Sequence, residues 1–177
     1  QIDIDNLNGK LSVTNTLVAL ETEQFPIDSI NVIATSTSEK NTIKLQSQFA
    51  NADINGKYKL SKLQEAFANS ISNYYNLNNK KAIKIEPQQV DFLIQLKDEP
   101  LIQKMLPELK NLSAIKIDGK YNSVNDTIQI HAVVPKLDYK DNIITNAIFK
   151  INKEENALVY NFEVDDIKNN SFHLPYT

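Results

Sequence analysis

Few side chains in this 177-residue chain are equipped for covalent chemistry. Cysteine is absent and the histidines are His131 and His173 alone. His131 falls on the polar side of an alternating run, Ile128, Ile130 and Ala132 against Gln129 and His131. Nothing in its neighbourhood suggests an orienting carboxylate or a nucleophile, the two partners that a general base needs. His173 lies near the end and reads as solvated. Asp165 and Asp166 could attract a cation, but adjacent residues of a strand point to opposite faces. The hydroxyl-rich stretch Thr35-Ser36-Thr37-Ser38 lacks the glycine elbow of a hydrolase nucleophile. The glycines are too far apart to cradle a phosphate. The expectation is a protein with no catalytic residue, no metal ligand and no cofactor.

Composition narrows the classes further. All 19 basic residues are lysine, so planar bidentate recognition of phosphate by arginine is unavailable. A net charge of −3 and a pI near 5.4 leave no basic footprint for nucleic acid. No apolar run approaches the ~20 residues of a membrane-spanning helix. Beginning at Gln1 inside an apparent strand, the chain reads as one fragment, 1–177, of a longer repetitive β protein.

The elements that position these residues are organised around a phrase written three times: Leu7-Asn8-Gly9-Lys10-Leu11, Ile54-Asn55-Gly56-Lys57-Tyr58 and Ile117-Asp118-Gly119-Lys120-Tyr121. It contains all 3 glycines of the chain. Asn-Gly or Asp-Gly between extended runs can be a two-residue hairpin turn. Alternatively a strand runs straight through, and glycine marks a bulge or a crowded point. Alternation keeps one parity across the phrase, through Ile115, Ile117, Gly119 and Tyr121, and favours the second reading.

Period-2 alternation predicts strands over most of 2–20, over 28–37 and 42–49, through Val90, Phe92, Ile94 and Leu96, and again over 114–122, 126–134, 138–152 and 156–167. Breaks are expected at Phe25-Pro26 and Pro135, and short strands at 83–86 and 171–177. Two short helices interrupt the strands, at about 61–76 and 99–110. The first carries a capping-box pattern, Ser61 with Gln64, and an apolar stripe of Leu63, Ala66, Phe67, Ser70, Ile71 and Tyr74. That stripe reads as core, with a membrane-facing or lid surface as the other possibility. The second helix opens on Asp98-Glu99-Pro100 and is broken or kinked by Pro107. Similar strand-and-hairpin series over 1–60 and 112–167 suggest a weak internal repeat around a helix-containing insert at 61–111.

Apolar strand faces outnumber the helices available to cover them. The fold class is therefore mainly β: either antiparallel strands in a curled open sheet, or a β-sandwich. An open trough would be lined by Leu11 and Val13, by Ile43, Leu45 and Phe49, and by Ile54 and Tyr58. In the second half the lining would be Ile117 and Tyr121, Ile128 and Ile130, then Leu158, Tyr160 and Phe162. Each is equally suited to ordinary core packing. A dry trough would hold acyl chains, favoured by ~0.8 kcal/mol per buried CH₂.

The stretch IKLQSQFANADINGKYKLSKLQEAFANSISNYY, from Ile43 to Tyr75, resembles the TamB family of AsmA-like envelope proteins in its Bacteroidetes-type form. The shared features are the Phe49-Ala50 link to Ala52-Asp53, the Ile54-x-Gly56-x-Tyr58 strand, and a helix ending in the paired aromatics Tyr74 and Tyr75. The segment from Asp91 to Tyr121, followed by VPKLDYKDNIITNA, resembles what comes next in that family. The resemblance implies a β-taco trough in a bridge across the periplasm, anchored in the inner membrane through segments outside this chain. It implies phospholipid acyl chains as cargo, an outer-membrane barrel protein as partner, and roles in phospholipid transport and outer-membrane protein assembly. The alternative is a structural or adhesive β module that pairs its strand edges with other proteins.

Overall fold

A computed structural model describes residues 3–20, 23–75 and 86–175. The chain is mainly β, 62% strand; the described residues form twelve strands in one antiparallel sheet that does not close into a barrel, and two helices. The strands are β1 (Gly9–Leu20), β2 (Glu23–Ser36), β3 (Asn41–Ser47), β4 (Ala50–Lys57), β5 (Gln89–Leu96), β6 (Leu109–Leu112) and β7 (Ile115–Asn122). They continue as β8 (Thr127–Tyr139), β9 (Asn142–Glu154), β10 (Ala157–Glu163), β11 (Asp166–Lys168) and β12 (His173–Pro175). The helices are α1 (Leu60–Tyr75), between β4 and β5, and α2 (Pro100–Met105), between β5 and β6.

The sheet follows chain order from one edge to the other: β1-β2-β3-β4-β5-β7-β8-β9-β11-β12. β6 continues the line of β7 along β8, and β10 and β11 share β9. This is a curled open sheet, and the sandwich alternative does not form. Short turns make most consecutive strands pair, whereas β4 meets β5 across the α1 connection and β5 pairs with β7. Lys140-Asp141 and Glu155-Asn156 are two-residue turns, with Lys140 at φ 56° and Glu155 at φ 51°.

Several expected boundaries move. β2 runs through Phe25-Pro26, because there it is flanked by β1 alone; pairing with β3 begins at Ile30. A proline without an N–H is tolerated on such a one-sided stretch. β8 likewise runs through Pro135, which lies opposite the interruption between β6 and β7. The long strand expected at 138–152 is divided by the turn at Lys140. The second helix stops at Met105, well short of 110, since Pro107 cannot continue it and Leu109–Leu112 extends instead into β6. Residues 83–85 of the strand expected at 83–86 and the last residues of the 171–177 segment lie outside the described residues, and Glu86 is not in a strand.

The first helix forms where its pattern predicts, but the capping box does not. Ser61 instead donates its N–H to Asp5 Oδ1 at 2.9 Å and its hydroxyl to Asp5 Oδ2 at 2.7 Å. These bonds hold the Asp5 carboxyl below its usual pKa. A carboxylate from the opening segment thus serves the helix start, where anions are favoured.

Of the three glycine phrases, the third runs through the interior of β7, the second forms the last stretch of β4 and continues past it to Tyr58, and the first opens β1. The hairpin reading fails at all three. A Cβ on Gly56 (φ +150°) would lie 2.0 Å from the carbonyl oxygen of Gln89 on β5. A Cβ on Gly119 would lie 2.6 Å from both the Gln129 carbonyl and Cζ of Phe92, whose ring crosses it from the paired position. These are crowded points of the sheet.

Candidate functional site

Register decides which side chains share a face, because successive residues of a strand alternate. Following the paired residues across the sheet gives one continuous row: Leu11, Val32, Leu45, Ala52, Ile94, Ile117, Ala132, Phe149, Phe162. A second row beside it reads Gly9, Ala34, Ile43, Ile54, Phe92, Gly119, Ile130, Ile151, Tyr160. Neither row contains a charged residue across its nine strands, a span of ~38 Å at ~4.8 Å per strand.

Register places twelve of the fourteen expected lining residues on this face. Leu11, Leu45, Ile117 and Phe162 belong to the first row; Ile43, Ile54, Ile130 and Tyr160 belong to the second. Val13, Tyr121, Ile128 and Leu158 lie one step further along the same faces of β1, β7, β8 and β10. Phe49 follows β3 and is half-buried, and Tyr58 follows β4.

Helix α1 packs on one end of the face and divides these residues. Tyr58, Ala66, Val90, Tyr121, Ile128 and Leu158 form its buried core, with Ile54, Leu63, Phe67, Ile71 and Ile151 packed around them. Phe67 meets Tyr121 edge-on, with ring centroids 5.5 Å apart. Ser70 and Tyr121 share a hydrogen bond of 3.0 Å, and the Tyr74 hydroxyl donates to Asp126 at 3.0 Å. The helix stripe is therefore core, and Tyr58, Tyr121, Ile128 and Leu158 lie under the helix, where no open trough reaches them. Burial pushes the Tyr121 hydroxyl pKa up, and burial with the Asp126 carboxylate pushes Tyr74 to about 12. The first row has no member in the α1 core. Its ends are open: Leu11 is 58% exposed and Phe162 57%.

The opposite face is polar and holds a groove of about 560 Å³ across β4, β5, β7, β8 and β9. His131 lies in it, and register brings Asp118 of β7 directly opposite, with Nδ1 3.4 Å from Asp118 Oδ1. The carboxylate partner missing from the sequence reading thus exists, though among the described residues no serine, threonine or cysteine lines the groove. Sequence spacing gave no signal for this pair, since only the β7–β8 register creates it. His173, read as solvated, places Nε2 2.6 Å from Asp166 Oδ1. Partial burial raises the Asp166 carboxyl, but Lys168 and His173 outweigh it and leave its pKa lowered. Asp165 turns elsewhere and accepts from Asn146 at 2.7 Å.

Among the described residues no cluster of three or more acidic or histidine side chains could hold a metal ion. None of their helices is long and apolar enough to cross a membrane. Comparison with known protein families, with curated proteins and with solved structures finds no match.

Proposed function

We propose that this chain is a non-enzymatic segment of a periplasm-spanning bridge between inner and outer membranes, whose apolar sheet face carries phospholipid acyl chains. In this reading it belongs to a TamB-like protein that also assists outer-membrane protein assembly. Its membrane anchor and its contact with an outer-membrane barrel lie in other parts of that protein. The supporting observation is the uncharged first row, which crosses nine strands, lies outside the α1 core and ends on exposed Leu11 and Phe162. Its seven inner members are half-buried between those exposed ends, and an uncharged apolar row of this length suits an apolar partner. Ten methylenes laid on it would gain ~8 kcal/mol at full burial.

The test is photocrosslinking in cells from a benzoylphenylalanine placed at Phe162, read for attached phospholipid, with and without Leu45→Glu. Lipid adducts that vanish in the charged variant, while circular dichroism stays unchanged, are expected. Absence of adducts in the parent chain would refute the reading.

A second reading, strand pairing with protein partners, is favoured by the sheet edge. β1 presents twelve residues there with Lys10 as its one charged side chain, little protection against an incoming strand. It predicts self-association that a proline at Ser12 or Thr14 abolishes, read by sedimentation.

A further inference from the structure

The polar groove lies on the face opposite α1 and the apolar rows, so its use is independent of the lipid reading. Two rows of side chains line it. One reads Asn55, Asp91, Lys120, Gln129, Asn152; the other reads Asp53, Leu93, Asp118, His131, Lys150. Most of its charges are already answered by neighbours: Asp53 by Lys44 at 3.6 Å, Asp118 by Lys116 at 3.7 Å and by His131, and Lys150 by Glu163 at 3.6 Å. Among the described residues Asp91 and Lys120 have no such partner, although they face each other across β5 and β7.

Three carboxylates against two ammonium groups give the groove almost no net field. A charged ligand therefore gains little from it by simple attraction. A neutral ligand whose groups both donate and accept gains more, since amides do both, carboxylates accept and ammonium groups donate. The first row offers such groups on five successive strands, ~4.8 Å apart over ~19 Å. Leu93, 44% exposed between Asp53 and Asp118, adds one apolar patch among them. Hydroxyls along an extended chain, with C–H faces between them, match that alternation.

We propose that this groove binds a neutral oligosaccharide, its hydroxyls held by Asn55, Asp91, Lys120, Gln129 and Asn152 and one ring face resting on Leu93. A zwitterionic peptide is the competing class, and salt separates the two, because contacts between exposed charges are screened while those to a neutral sugar are not. The test is titration of the whole chain with maltotetraose, cellotetraose and tetra-N-acetylchitotetraose in turn, and with tetraalanine as the zwitterionic probe, followed by amide chemical shifts. Saturable shifts in β5, β7 and β8 with at least one of the sugars, insensitive to salt, are expected. Asp91→Ala and Gln129→Ala should each weaken that sugar about tenfold, the loss of a hydrogen-bonding pair. Both side chains are exposed, so the melting temperature should not change. The proposal is overturned if no sugar shifts these strands, if the two substitutions leave affinity unchanged, or if tetraalanine alone binds there.

Discussion

The three glycines of the repeated phrase should differ sharply in what they tolerate, although sequence makes them look equivalent. Replacing Gly56 with alanine places Cβ 2.0 Å from a backbone carbonyl oxygen and 2.9 Å from Val90 Cα, at φ +150°. Neither neighbour is a side chain that can swing away. β4 and β5 must part by more than an ångström locally, losing one or two ladder hydrogen bonds at ~1 kcal/mol each on top of the overpacking strain. About 3–5 kcal/mol is expected, a large share of the 5–15 kcal/mol typical of a domain. At Gly119 the contacts are 2.6 Å to the Gln129 carbonyl and 2.6 Å to Phe92 Cζ. The ring can tilt but the carbonyl cannot, so about 2–3 kcal/mol is expected. At Gly9 no atom of the described residues lies within 4 Å, and the positive φ of 158° is what opposes a side chain, at about 1 kcal/mol. Urea unfolding of the three alanine variants, at unchanged slope, gives the order directly. The crowding argument fails if Gly9→Ala costs as much as Gly56→Ala, or if Gly56→Ala unfolds within ~0.5 kcal/mol of the parent.

Other side chains give sharper contrasts within pairs. Tyr121→Phe strands the 97%-buried Ser70 without its hydrogen bond and should cost about 1–3 kcal/mol. Tyr58→Phe removes a buried hydroxyl that meets no partner among the described residues, and should be neutral or stabilising by up to ~1 kcal/mol in the same assay. Ile128, 0% exposed in the α1 core, should lose about 2–5 kcal/mol on truncation to alanine, whereas Leu11→Ala at the open edge should stay within ~0.5 kcal/mol. Tyr74 is neutral in the folded chain up to about 12 but ionises near 10 when unfolded. Its stabilising contribution is thus complete below pH 10 and is lost as pH rises from 10 to 12. Tyr74→Phe should flatten that alkaline loss in denaturation midpoints measured across the range.

Where local pattern and burial agree, the fold is legible in the residues. Leu63, Ala66, Phe67, Ser70, Ile71 and Tyr74 repeat at helical spacing, and the same six form the packed side of α1. The misreadings share one cause, a neighbour distant in sequence. Pro26 and Pro135 punctuate a strand only if another strand needs the missing N–H, and among the described residues none does at either place. Ser61 suits a local cap, yet Asp5, 56 residues away, takes both of its donors. His131 could not be paired with Asp118, nor Asp91 set against Lys120, without the register of β7 with its neighbours.

The alternation of apolar and polar residues, by itself, determined that this chain makes strands with one greasy side and one wet side, because the pleat sends successive side chains to opposite faces. What only the tertiary structure decided is how those sides add up. Pairing that follows chain order along most of the sheet merges the apolar sides into uncharged rows, and α1 covers one end of that face. The same pairing collects scattered Asp, Asn, Gln, Lys and His residues into a single groove on the far side. Strand-to-strand register is a long-range property, fixed by packing and turns between segments, and no local spacing carries it.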